Sequence, residues 1–447
     1  MLLWRYSSGM NSVRLHFRGE STDTLSVTLD GRTETASVDT SVLDGCVKVD
    51  FTNLEPKRKY SFTASLGVDA VSGTVKTLPG LNDSVKMAYV SCINPNHPAA
   101  ILRVLMNREP DLVFLLGDTP YMNIAGDYAG VDTSVPVVGG AVTDFYPHYR
   151  KRWMTRLYAE LFHNFPCFDV FDDHDWGAGD NNDHSVTQLN AGGQPGGAVD
   201  QDDVDAYWLL GKQCRDAYFL VNPDNNDAEA AAQAPPSVNA GDANYPPLYF
   251  RLKTGPCEFF VLDNQSHRSF VADTDDANKT FLGTTQENWL EVRSLASKAV
   301  WKPIMSSKKT HEATGGNNGD TIGKYTTTRD ALLTYFDTNG ITGVPWFSGD
   351  QHQYQITSLA KADGDSFDHV CVCACPGGVG WNTTFGVANG DVILNGTSRT
   401  PVYGEAEFDS TTATLRVVGI RGSAVWEQTM AAGSSALTVP SAQVIAM

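Results

Sequence analysis

The chain has 447 residues, a hydrophobic fraction of 41% and a formal net charge of −19, from 52 acidic against 33 basic residues. At roughly 150 residues per domain this length suggests two or three units, and the acidic balance repels a polyanion at long range, which argues against a nucleic-acid-binding module. No run approaches the roughly 18 uninterrupted apolar residues of a membrane span, so no membrane span is expected.

The first residues, Met-Leu-Leu-Trp-Arg-Tyr, lack the charged region, long apolar core and cleavage site of a secretory signal. The expectation for the chain as given is therefore a cytoplasmic location by default. Residues 1 to about 80 read as all-β, with alternating stretches at Ser12–Phe17, Leu25–Leu29 and Val47–Phe51. Asp30-Gly31 and Asp44-Gly45 are hairpin signals. The run from Leu54 through Tyr60-Ser-Phe-Thr-Ala, closing with Thr74-Val-Lys-Thr-Leu78, resembles the last strands of a fibronectin type III or immunoglobulin-like sandwich, and Pro79-Gly80 is read as the linker out of it. The predicted division is 1–80 and 81–447.

Beyond residue 84 strand and helix alternate: strand 85–91, helix 97–108, strand 111–117, helix 145–163 and strand 167–171. A continuous apolar strand such as Leu112-Val-Phe-Leu-Leu116 implies a sheet covered on both faces. Two segments rich in Gly, Asn, Asp, Ala and Pro, 177–205 and 222–247, interrupt this pattern, and loops of that length in a compact domain are usually functional. Regular structure then resumes at 248–252 and 258–263, followed by helix 284–297, strand 301–306, helix 326–338, strand 344–348 and a strand-rich end over 367–430.

Eight cysteines, at 46, 92, 167, 214, 257, 371, 373 and 375, include no CxxC pair, so a structural zinc site is not expected. Cys371, Cys373 and Cys375 alternate and share one strand face, where they read as small buried hydrophobes.

Four segments place reactive side chains directly after a hydrophobic strand, where open α/β sheets keep their ligand sites. They are Ser91-Cys92, Gly117-Asp118-Thr-Pro-Tyr121, Phe171-Asp-Asp173-His174-Asp175 and Phe347-Ser-Gly349-Asp350-Gln-His352. Thiolate and tyrosinate suit a Lewis-acidic ferric ion, whereas carboxylate and amide oxygens suit a hard cation. Singly, each segment has a plainer explanation: Cys92 as a small buried residue, Asp118 as a helix N-cap, Tyr121 as packing, Asp172, Asp173 and Asp175 as a solvated acidic turn, His352 as a core histidine. Four such segments at four strand ends point jointly to a mixed-metal centre.

On these motifs the chain resembles the PhoD-like alkaline phosphatases of the calcineurin-like metallophosphoesterase superfamily. The resemblance rests on Ser-Cys, Pro-Asp-Leu-Val-Phe-Leu-Leu-Gly-Asp-x-x-Tyr, Asp-Asp-His-Asp with Asn181-Asn182 after it, and Ser-Gly-Asp-x-His; Leu282-Gly-x-x-Gln286-x-x-Trp289-Leu290 and Trp301-Lys302 support it. It implies an α/β fold with a β-sandwich core flanked by helices, preceded by the all-β fibronectin III/Ig-like domain. It also implies a metal-dependent phosphoesterase that hydrolyses small or polymeric phosphoesters by in-line attack of a metal-activated water.

Residue by residue, the resemblance implies Fe3+ held by Cys92, Asp118, Tyr121 and Asp350, with Asp118 shared with Ca2+. His352 and Asn181 or Asn182 complete the calcium side. His174 and Asp173 match the superfamily's His and Asn of Gly-Asn-His, making His174, Asp173 and His352 the candidate catalytic groups. A further calcium-binding Asp of the family falls on Gly323, and Asp320 is the nearest replacement. Arg150, Arg152, Arg156, Arg268 and Lys302 are available for phosphate contact. The family resemblance makes an exported protein the alternative location, and the Gly at 323 makes a non-catalytic surface- or carbohydrate-binding protein the alternative function.

Overall fold

The computed structural model describes residues 2–41, 43–93, 100–121, 126–128, 131–133, 145–175, 214, 217–218, 248–271, 273–309, 313–314, 321–350, 352, 354–359, 369–374, 386–387, 392–396 and 401–434. Seven strands come first: β1 (Leu3–Ser8), β2 (Val13–Arg18), β3 (Thr24–Leu29), β4 (Arg32–Ser37), β5 (Cys46–Phe51), β6 (Lys59–Leu66) and β7 (Asp69–Lys76). They form two antiparallel sheets, β1-β2-β5 and β4-β3-β6-β7. Alternation decides which residues meet between them: Tyr60, Phe62, Ala64 and Leu66 of β6 are buried, while the residues between are exposed. Trp4, Phe17 and Val27 join this core from the other strands.

Asp30-Gly31 is the expected two-residue hairpin, with both residues at positive φ (52° and 75°) and Leu29 paired to Arg32. Asp44-Gly45 is not a hairpin. It lies in a short 3-10 turn, Leu43–Gly45, leading from one sheet to the other. The Asp44 carboxylate is held by Arg18 and Arg150, each at 2.9 Å, so the pair serves a crossing that local turn chemistry does not specify.

The remaining elements are β8 (Val85–Val90), α1 (Ala100–Asn107), β9 (Leu112–Leu116), β10 (Gly126–Tyr128), β11 (Val131–Thr133), α2 (Tyr146–Met154), α3 (Arg156–Asn164), β12 (Cys167–Val170), β13 (Phe250–Thr254), β14 (Cys257–Val261), α4 (Thr284–Ala296), β15 (Ile304–Ser306), β16 (Ala313–Thr314), α5 (Thr326–Thr338), β17 (Trp346–Ser348), β18 (Tyr354–Leu359), β19 (His369–Ala374), β20 (Gly386–Val387), β21 (Val392–Gly396), β22 (Val402–Phe408), β23 (Thr412–Gly419) and β24 (Ala424–Ala431). Most expected elements are present, with boundaries shifted by a few residues. The single helix expected over 145–163 is two helices, α2 and α3. Thr155 breaks it with an extended backbone (ψ 127°), and its N–H and hydroxyl both donate to the Lys151 carbonyl.

Two mixed sheets carry this part of the chain. The first runs β12-β9-β8-β22-β23-β24 and the second β13-β14-β15-β17-β19-β18-β21. Strands β12, β9 and β8 are parallel, as are β14, β15, β17 and β19. The sheets face each other across one core: Leu112, Phe114 and Leu116 point into it with Phe259, Met305, Phe347 and Val372. Val113 and Leu115 point the other way, under α1, α2 and α3, and α4 and α5 cover the second sheet. The architecture is thus an α/β fold with a β-sandwich core flanked by helices, preceded by an all-β sandwich. No helix among the described residues is long and apolar enough to cross a membrane.

The all-β unit packs on α3 and β12. Arg5, fully buried, pairs with Asp169 at 2.9 Å and lies 4.1 Å over the Phe162 ring, and Arg152 meets the same carboxylate at 3.2 Å. Two guanidiniums on one buried carboxylate form a charge network in which each member depends on the others.

Candidate metal centre

The parallel strands β8, β9 and β12 of one sheet and β15 and β17 of the other end on the same side of the sandwich, and their C-terminal residues converge. Gly117 and Gly349 make this approach feasible. A β-carbon at Gly117, which has φ 82°, would collide with the Asp172 side chain, and one at Gly349 would collide with that of Ser91. Both Gly-Asp pairs therefore use glycine as a spacer, so that the next residue can reach the centre.

Four of the converging residues have left-handed backbones: Cys92 (φ 54°), Asp118 (54°), Asp350 (70°) and His352 (49°). Non-glycine residues there are uncommon and cost on the order of 1–3 kcal/mol each, so such residues persist only where the surroundings impose them. Asp175 is one such restraint. Its carboxylate accepts the backbone N–H of Asp118, Thr119 and Asp172 at 2.9–3.1 Å, tying the loop after β9 to the loop after β12. The Tyr149 hydroxyl in turn donates to the Asp175 carbonyl.

The donors form two overlapping groups. In one, ligand atoms of Cys92, Asp118 and His352 lie within 4.8 Å of one another; in the other, carboxylate oxygens of Asp118, Asp172, Asp173 and Asp350 do. Cys92 Sγ is 3.2 Å from Asp118 Oδ2, and the Tyr121 hydroxyl is 3.1 Å from His352 Nε2. The His174 ring lies 4.4 Å from the Tyr121 ring, and its backbone N–H donates to Asp118 Oδ1. Cys373 packs against Cys92 and Tyr121, and burial pushes its thiol up to about 12.

The acidic turn expected as one explanation of residues 172–175 is not solvated: Asp172, Asp173 and Asp175 are all buried, because the loop lies between the ends of both sheets. Burial, with Cys92 and neighbouring carboxylates adding to it, raises Asp118 well above the usual carboxylate range, and burial likewise raises Asp172. Burial also opposes ionisation of Asp173, but the adjacent Lys308 ammonium, with His174 and Arg268, outweighs it and holds that carboxyl low. Buried carboxyls pushed toward their neutral form are short of positive charge, which a bound cation supplies. The donor set, one thiol, one phenol, one imidazole and four carboxylates, fits a metal centre.

The structure brings together Cys92, Asp118, Tyr121, Asp173, His174, Asp350 and His352. Asn181, Asn182 and Asp320 lie outside the described residues. Of the candidate phosphate-contacting cations, Arg150 and Arg152 are engaged with Asp44 and Asp169, and Lys302 donates to the Ala299 and Thr342 carbonyls. These three are engaged by partners of their own, and the Arg152 charge also reaches Asp175. Arg268 is buried close enough for its charge to act on Asp173.

Sequence reasoning named Asp172 within the Phe171–Asp175 segment but gave it no site role; its Oδ1 accepts Gln265 Nε2 at 2.8 Å. It did not single out Lys308. Lys308 follows β15, a fifth strand end pointing the same way. Its ammonium is 2.7 Å from Asp172, 2.8 Å from Asp173 and 2.7 Å from Asp350.

A family profile described as PhoD-like phosphatase matches residues 87–380. Alkaline phosphatase D of Bacillus subtilis (strain 168) is 24% identical over 339 residues, covering 70% of this chain and 54% of the relative. The chain thus spans about half the length of the curated relative it matches. A solved structure of PhoD superposes with a TM-score of 0.76 at 17% identity, covering 99% of this chain and 92% of that one. A purple acid phosphatase from yellow lupin (Lupinus luteus) seeds superposes with a TM-score of 0.61 at 12% identity, covering 96% and 74%. These two likenesses show the fold.

Proposed function

Because the chain belongs to the PhoD-like phosphatase family, we propose that it is a metal-dependent phosphoesterase acting on phosphodiesters and monoesters, with the buried strand-end cluster as its active site. The observation that carries this reading is the convergence of Cys92, Asp118 and His352 with Asp172, Asp173 and Asp350 at the ends of strands from both sheets. The curated relative's printed name, alkaline phosphatase D, supports the same chemistry.

The proposed iron ligands are Cys92, Asp118, Tyr121 and Asp350. Asp118, His352, one of Asn181 and Asn182, and Asp320 would hold calcium. Bound there, cations supply Lewis acidity, making water a nucleophile near neutral pH and offsetting charge on phosphoryl oxygens. The chain's own groups do the rest. Asp175 fixes the loop backbones at 118–119 and 172, which sets the angle at which Asp118 is presented. His174, whose ring lies against that of Tyr121, is proposed to donate a proton or hydrogen bond to the leaving oxygen, and His352 and Asp173 to orient the reacting groups. Arg268 is proposed as the phosphate-binding guanidinium, a geometry suited to bidentate contact. We further propose residues 1–80 as a separate fibronectin III/Ig-like domain and 81–447 as the catalytic one.

Elemental analysis of purified protein, combined with turnover of bis-p-nitrophenyl phosphate and p-nitrophenyl phosphate at alkaline pH, tests the reading. The expected result is iron and calcium in the protein, a tyrosinate-to-iron absorption band, and hydrolysis that a chelator abolishes. A fully folded, metal-free and inactive protein under metal-replete conditions sinks it.

A further inference from the structure

Lys308 places a fixed positive charge inside the carboxylate group. Its side chain is 1% exposed, and Asp172, Asp173 and Asp350 surround the ammonium at 2.7–2.8 Å. Three of the four converging carboxylates thus share one lysine. Four buried carboxylates repel one another, and the Lys308 ammonium is in direct contact with three of them.

The neighbouring loop is short of a donor. Gly323, where the resemblance calls for a carboxylate, lies buried in the 3-10 turn Ile322–Lys324 and offers none. The carboxylate side of the centre therefore has a lysine in direct contact with three of its members and, at position 323, one donor fewer than expected. An ammonium competes for hard carboxylate oxygens, the donors calcium needs; the thiolate and phenolate that favour ferric ion are a different ligand class.

We propose that Lys308 is a built-in counter-cation of the centre, holding Asp172, Asp173 and Asp350 in place and competing with any cation that enters the carboxylate group for their oxygens. This rests on the metal reading above. It makes cation binding at the carboxylate group weak and exchangeable, and Asp350, also a proposed iron ligand, is the contact through which Lys308 reaches the iron side. Lys308 is thus a positioning residue, acting through carboxylates that are drawn from both sheets: Asp172 and Asp173 follow β12, and Asp350 follows β17.

Calcium titration calorimetry on the full-length wild type, Lys308→Met and Lys308→Arg, each with iron content measured by elemental analysis, tests the proposal. Lys308→Met removes the charge at similar length, and it is expected to bind calcium at least about tenfold more tightly than wild type. Its melting temperature should also rise more on adding calcium. Lys308→Arg should keep the wild-type calcium affinity. If Lys308→Met folds only with calcium present, the calcium-dependent rise in melting temperature exceeds that of wild type and supports the proposal in the same way. Calcium affinity that is unchanged or weaker in Lys308→Met, with iron retained, overturns it. Wild-type protein that takes up neither iron nor calcium fails the metal reading itself, a result distinct from the other.

Discussion

Gly349 lies so close to Ser91 that a β-carbon on it would overlap the serine side chain, and this contact joins the end of β17 in one sheet to the end of β8 in the other. Because Asp350 and Cys92 are the next residues along each strand, the spacing between these two positions sets the spacing between two proposed ligands. Gly349→Ala is expected to destabilise the protein by about 1–3 kcal/mol, the usual cost of overpacking, and to lower bound metal. Thermal melts paired with elemental analysis check it. A variant of unchanged metal content and stability would show that the sheet ends separate freely.

Asp118 belongs to both donor groups. Asp118→Asn keeps the shape and removes the charge, so turnover and bound metal should fall together, by more than about 100-fold in turnover, since loss of mere outer partners already costs 10–100-fold. A protein acting only as a binder would instead keep its ligand affinity in this variant.

Asp175 holds three backbone N–H groups but is not a proposed ligand. In Asp175→Ala three buried donors lose their acceptor, at about 1–3 kcal/mol for each group left unsatisfied. The expected outcome is a lower melting temperature together with weaker metal retention. Asp175→Asn, which keeps an acceptor oxygen, should recover part of both.

Asp169 neutralises Arg5 and Arg152 where the all-β unit meets β12. Asp169→Asn leaves two buried guanidiniums facing each other and should cost about 3–5 kcal/mol, the scale for breaking a buried pair. Removing Arg5 as well, as Arg5→Met with Asp169→Asn, should be milder than the sum of the single changes. Urea denaturation of the four proteins in this cycle measures the coupling.

Acid should destabilise the fold through two buried histidines. Burial lowers His369 from 6.5 to about 4, and burial, with Lys48 and Arg5 adding to it, lowers His16 well below its usual value. Between pH 6.5 and about 4 the unfolded chain binds a proton at position 369 that the folded chain refuses, so stability is complete above 6.5 and falls as pH drops toward 4. His369→Phe is expected to flatten that part of the stability profile in denaturation measured from pH 7.5 to 4. His16 lies edge-on to Trp153 at 4.9 Å, so its protonation would load the same boundary as the Asp169 network.

Much of this protein is written locally. The β alternation of the first eighty residues, the hairpin at Asp30-Gly31 and the doubly buried strand Leu112–Leu116 follow from side-chain periodicity and turn chemistry, which neighbouring residues fix by themselves. Reactive residues after apolar strands, from Cys92 to His352, were visible for the same reason. Tertiary structure decided what depends on distant partners. It turned Asp44-Gly45 into a crossing between sheets, because Arg18 and Arg150 take its carboxylate. It buried Asp172, Asp173 and Asp175 in place of a solvated turn, returned β22–β24 to the edge of β8, and set Lys308 among three carboxylates. A lysine after a strand looks the same in sequence whether it faces water or aspartates. Charge acts through space between elements far apart in the chain, so only their packing fixes what that lysine neutralises.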